Sequence, residues 1–195
     1  MSGFKASYIL SGPELLYLFN VARISPSRPA QYFIDWYLRD GGGAGADTAP
    51  GNSNETVLDA GGVDLPSGRS YEPALDAAEG LVFKKLAVKS SGAVILEPVV
   101  DLLVRTALTS DTMWIVKRPD GGDADLILKS AGIYLLIMRY PRIPDAWRVT
   151  PYPGKAQLFE DFDGFAATEA CRIDSEGKRV PLDITGGSWM EDSGK

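Results

Sequence analysis

Apolar positions recur at helical spacing near the N-terminus and at strand spacing in the second half of the chain. Leu15, Leu18, Phe19 and Ala22 fall on one stripe of a helix. Ser11 can cap that helix, Pro13 fits its first turn, and Glu14 complements its dipole. Ser25-Pro26 and Arg28-Pro29 stop it. A second helix is predicted over 30–39, where Tyr32, Phe33, Trp36 and Tyr37 stand out. A third over 71–79 ends at Gly80, a residue suited to a C-cap. Residues 81–89 fit neither period. Pro98 opens the clearest helix, with Val99, Val100, Leu103, Val104, Ala107 and Leu108 as its apolar face and Asp101 and Arg105 spaced to pair at i,i+4.

The strand signals follow in quick succession. Strands are predicted over 94–96, 113–117, 126–128, 133–138 and 147–149. Pro119-Asp120-Gly121-Gly122 and Ser130-Ala131-Gly132 are turns, and 141–144 is a break carrying two prolines. A short helix over 154–162 places Leu158, Phe159 and Phe162 on one side, and a last hairpin pairs 170–173 with 180–184 around Ser175-Glu176-Gly177. The order predicts an α+β fold: an antiparallel β-meander sheet packed with helices before and after it.

The chain divides accordingly. Residues 1–40 hold the N-terminal helices of a single domain, 41–70 a flexible Gly-rich loop, 71–165 a helix–meander–helix core, and 166–195 a C-terminal hairpin and tail. The 41–70 stretch is rich in Gly, Ala, Asp, Pro, Ser and Asn, and only Val57, Leu58, Val63 and Leu65 offer anything to bury.

Two strands depart from the alternation expected of a half-exposed sheet. Met113-Trp114-Ile115-Val116 and Ile133-Tyr134-Leu135-Leu136-Ile137-Met138 are apolar on both faces. Either helices of the chain, or a second copy of it, cover both faces, or one face waits for a partner. On the second reading Trp114, Val116, Tyr134, Leu136 and Met138 are the partner-binding residues, and their exposure decides between the two.

Composition narrows the function. The 195 residues are 45% hydrophobic, enough for one real core. A formal charge of -6 and scattered basic residues argue against nucleic acid. A lone cysteine, Cys171, permits no intramolecular disulfide and no cysteine-based zinc site. The first ten residues make a poor signal peptide, and no apolar run approaches the roughly 20 residues of a membrane span. A cytoplasmic protein without membrane insertion is therefore expected.

The chain has no histidine, so Ser-His-Asp and Cys-His catalysis are excluded and the commonest metal ligand is missing. Lys89-Ser90-Ser91 is a conceivable Ser-Lys dyad but reads better as a turn. Asp120, Asp123 and Asp125 lack the ordered ligands of a calcium loop and read as a hairpin turn. Glu160, Asp161 and Asp163 read as a solvated helix end, although a carboxylate-dependent hydrolase stays open. The glycines at 41–43 and 45 follow a helix rather than a strand, so they lack the context of a dinucleotide motif. No enzyme, cofactor or metal is expected, and Cys171 is expected to be packed rather than reactive.

Several local phrases carry a family likeness. They are S-x-x-E-L-L-x-L from Ser11, A-A-E-G-L-V from Ala77, T-M-W-I-V from Thr112, I-Y-L-L-I-M from Ile133 and W-R-V-T-P-Y from Trp147. Together with the element order they make residues 10–162 resemble one repeat of the EspG-like proteins, the cytosolic chaperones of type VII (ESX) secretion systems. That family usually carries two such repeats, whereas this chain has one, with a hairpin tail and a glycine-rich insertion. The resemblance implies an α+β sheet that binds the helical tip of a secreted substrate, and it brings no catalytic residues. A homodimer could supply the second half. Sequence alone thus points to a non-enzymatic protein-binding adaptor or chaperone, with a homodimeric interaction domain as the alternative.

Overall fold

The computed structural model of the chain describes residues 6–35, 72–91, 93–119, 123–143, 145–161, 167–184 and 190, with backbone alone for 72–75. The loop expected over 41–70, and the glycines within it, lie outside the described residues.

The described elements are β1 (Tyr8–Ser11), α1 (Gly12–Ala22), α2 (Arg28–Tyr32), α3 (Glu72–Phe83), β2 (Ala87–Ser90), β3 (Ala93–Leu96), α4 (Pro98–Leu108), β4 (Thr112–Lys117), β5 (Asp125–Ser130), β6 (Ile133–Arg139), β7 (Ala146–Tyr152), α5 (Lys155–Asp161), β8 (Glu169–Ile173) and β9 (Arg179–Leu182). Seven strands form one sheet in the order β1-β7-β6-β5-β4-β8-β9, and β2 and β3 form a separate hairpin. Every pairing is antiparallel. The class is α+β, built around the expected meander from β4 to β7.

Local chemistry accounts for the elements that sequence anticipates. Ser11 accepts from the Glu14 N–H while Glu14 accepts from the Ser11 N–H, a complete capping box at the start of α1. Arg105 donates to Asp101 at 2.7 Å on α4. Ser130 and Ile133 are register partners, so Ala131 (φ 49°) and Gly132 (φ 81°) form a two-residue loop with both residues left-handed, as a tight hairpin requires.

Other elements differ from expectation. β1 was not foreseen, since its four residues flow directly into the α1 cap; it forms one edge of the sheet by pairing with β7. The C-terminal hairpin does not stand apart: β8 pairs with β4, so β8 and β9 extend the main sheet. Gly80 is not a C-cap. α3 runs on to Phe83 and turns at Lys85, which adopts the left-handed conformation (φ 59°). Glycine suits position 80 for another reason, because a Cβ there would stand 2.6 Å from Glu14 Oε1.

Two cores flank the sheet. In β4, Met113 and Ile115 point into the larger core with Leu10, Leu18, Phe33, Val104, Leu126, Leu135 and Val149. α1, α2 and α4 cover that side, with α3 behind α1 and the β2–β3 hairpin beside it. Trp114 and Val116 alternate to the other side, joining Ile127, Tyr134, Leu136, Tyr152, Leu158, Ala170 and Met190 under α5. Both sheet faces are therefore closed by the chain itself. Its edges are protected too: Lys84 donates to the Ile9 carbonyl on β1, and β9 carries Pro181.

Candidate functional site

The structure brings the five residues singled out from the doubly apolar strands onto one sheet face. Trp114 is 2% exposed, Val116 0%, Leu136 3% and Tyr134 8%, and Met138 is partly buried at the end of the strand. Register explains the grouping, because Trp114 pairs with Ile127 and Ile127 with Leu136. The Trp114 and Tyr134 rings stack with centroids 6.3 Å apart. Their cover is intramolecular. Leu158 of α5 joins them in this core, and Lys155 donates to the Met190 carbonyl at 3.0 Å, holding Met190 beside α5. Tyr152 on β7 donates to Asp161 on α5 at 3.3 Å. Burial, then the adjacent carboxylate, pushes the Tyr152 phenol up to about 12. This face is a second core, and Trp114, Val116, Tyr134 and Leu136 are not available to a partner in this conformation.

A polar corner closes one end of that core. Arg118 donates to Asp125, a carboxylate only 4% exposed. Met138 lies beside them and is the direct register partner of Arg148. Across the sheet, Arg139 bridges Asp123 and Asp145, at 3.3 Å each, and stacks over Trp147. Asp123 and Asp125 are thus each paired with an arginine.

Several of the remaining candidate groups have partners within the chain. Lys89 pairs with Glu79 at 3.2 Å, Ser90 ends β2, and Ser91 follows in the left-handed turn conformation. Asp161 is committed to Tyr152, while Asp120 and Asp163 lie outside the described residues. Cys171 is buried, and desolvation raises its thiol against the opposing pull of Arg179. Among the described residues no group of three or more His, Cys, Asp or Glu could hold a metal ion. No described helix is long and apolar enough to cross a membrane.

The apolar surface lies elsewhere. Among the described residues, Phe83 (88% exposed), Val88, Ile95, Val99 and Leu102 all fall between residues 83 and 102, and only Ile143 of the large exposed apolar residues lies outside that stretch. Val88 and Ile95 are direct partners across the β2–β3 hairpin, so their side chains stand together on its outer face. Val94 and Leu96 pack inward on the opposite face. Val99 and Leu102 lie three residues apart on α4 and share its outer side. Sequence reasoning placed Val99 on the buried face and overlooked Phe83, Val88, Ile95 and Leu102. A signal existed: apolar residues at 99, 100, 102, 103, 104, 107 and 108 cover an arc too wide for one buried stripe.

Three cations near these residues in sequence are paired within the chain. Lys84 pairs with Glu14 at 2.6 Å, Lys89 with Glu79 at 3.2 Å and Arg105 with Asp101 at 2.7 Å. No family model matches the chain, and comparison with curated proteins and with solved structures returned no significant match.

Proposed function

We propose that this protein is a non-enzymatic protein-binding module that engages its partner through the exposed apolar surface of the β2–β3 hairpin and the outer side of α4. The observation that carries this reading is the concentration of Phe83, Val88, Ile95, Val99 and Leu102 within one short stretch, while the apolar faces of the large sheet are covered. Exposed apolar residues gathered in this way mark interaction sites more often than isolated ones do. Further support comes from the polar groups that could do chemistry, which are tied into cation or tyrosine contacts.

The resemblance to EspG-like chaperones extends the proposal to an adaptor that receives a helical export substrate of a type VII secretion system in the cytoplasm. A homodimer is the second reading. It is favoured by the internal pairing of Lys84, Lys89 and Arg105, which would spare two copies like-charge repulsion across this surface.

Site-specific photo-crosslinking in the native host tests the proposal. A probe at Val88 should yield one discrete adduct, and a probe at the exposed turn residue Glu176 should not. Adding Ile95→Lys and Leu102→Lys should abolish the adduct while circular dichroism stays unchanged. The mass of the adduct separates a second copy from a different protein. No adduct at Val88, or one that survives the lysine substitutions, would sink the proposal.

A further inference from the structure

We propose that Met138 is a peroxide-reactive methionine whose sulfoxide is held by Arg148 and Arg118. Three observations meet at this residue. First, it is the accessible one among the described methionines: Met113 is 0% exposed and Met190 2%, whereas Met138 is only partly buried at the end of β6. Second, its sulfur is already contacted by cations. Arg148 Nη2 lies 3.2 Å from Met138 Sδ and Arg118 Nη2 lies 3.9 Å away. Third, this arrangement is built into the fold. Met138 and Arg148 are direct partners in the β6–β7 register, and Arg118 is fixed beside them by buried Asp125.

A thioether sulfur is a weak acceptor, so two guanidinium groups directed at one are poorly matched to it. A sulfoxide oxygen is a strong acceptor and would meet both donors with charge-assisted hydrogen bonds. The reacting partner is a hydroperoxide. The sulfur lone pair attacks the distal peroxide oxygen, and the S–O bond forms as the O–O bond breaks. The hydroxyl proton passes to the departing oxygen, which leaves as water or an alcohol. Sulfur is oxidised by two electrons and the peroxide is reduced by two. The buried Met113 and Met190 can meet the oxidant only when the fold opens.

Peptide mapping by mass spectrometry after limited hydrogen peroxide treatment of the native full-length protein is the first test. The Met138 peptide should gain one oxygen at least about ten-fold faster than the Met113 and Met190 peptides, in line with its access. Equal rates at the three sites, or a Met138 that reacts only after unfolding, would overturn the proposal. The second test compares melting before and after oxidation. Arg148 is exposed, so Arg148→Gln should fold normally. Oxidation should lower the melting temperature of Arg148→Gln by about 3 °C more than that of the wild type, because the sulfoxide has lost its principal donor. An equal drop in both proteins would show that Arg148 does not hold the sulfoxide. Met138→Leu should show no oxidation-dependent shift, and a shift as large as the wild type's would assign the effect to another residue.

Discussion

Gly80 lies inside α3, where replacing glycine by alanine ordinarily stabilises a helix by about 1 kcal/mol. Here the opposite outcome is expected. A Cβ at position 80 would stand 2.6 Å from Glu14 Oε1. The other oxygen of that carboxylate accepts from the Ser11 N–H at 2.7 Å and from Lys84 at 2.6 Å, and Glu14 is only 4% exposed. Displacing the carboxylate disrupts the capping box, at a cost of about 0.5–2 kcal/mol. It also weakens an ion pair worth about 1 kcal/mol or less, since the Lys84 side chain is partly in water. A loss of up to about 3 kcal/mol against a gain of about 1 leaves Gly80→Ala less stable by up to about 2 kcal/mol. The assay is urea denaturation followed by circular dichroism for wild type, Gly80→Ala, Glu14→Ala and the double variant. Once the carboxylate is gone, alanine at 80 should recover its ordinary helical advantage of about 1 kcal/mol. The two substitutions should therefore couple by up to about 3 kcal/mol, within the range for contacting residues. A Gly80→Ala protein more stable than wild type, or strict additivity in the cycle, would refute the steric argument.

Further expectations follow from the second core. Trp114→Ala should cost about 3–5 kcal/mol by urea titration, the range for a buried aromatic, whereas a solvent-facing tryptophan there would cost no more than about 0.5 kcal/mol. Tyr152 has its folded-state pKa raised to about 12 from the ordinary 10, so its contribution is complete below pH 10 and is lost as the pH rises toward 12. Stability measured from pH 8 to 11.5 should therefore fall less steeply in Tyr152→Phe than in wild type, and parallel curves would contradict the assignment.

Much of the fold was legible in the chain because short-range chemistry dictates it. The Ser11–Glu14 cap, the Pro98 helix start, the Ala131-Gly132 turn and the strand order β4 to β7 each depend on residues close in sequence. The short β1 was missed because four residues carry too little period to be recognised before a helix cap. Gly80 was misread because a local rule for helix ends competed with a contact from Glu14, which lies on another helix. The five strand residues proposed for a partner fall on one face, and what covers that face comes from α5 and from Met190, far along the chain. The exposed apolar residues between 83 and 102 were passed over because local periodicity does not say which side of a short element is covered.

What the sequence determined by itself was the class of the fold and the exclusion of histidine chemistry, since residue types and periodicity suffice for both. The tertiary structure alone decided which apolar surfaces are closed and which are open. Alternation sends Trp114 and Met113 to opposite faces whatever surrounds them, but burial depends on which distant segment packs there. The doubly apolar strands that looked like an interface became a second core, and the exposed apolar residues of the β2–β3 hairpin and α4 lie elsewhere.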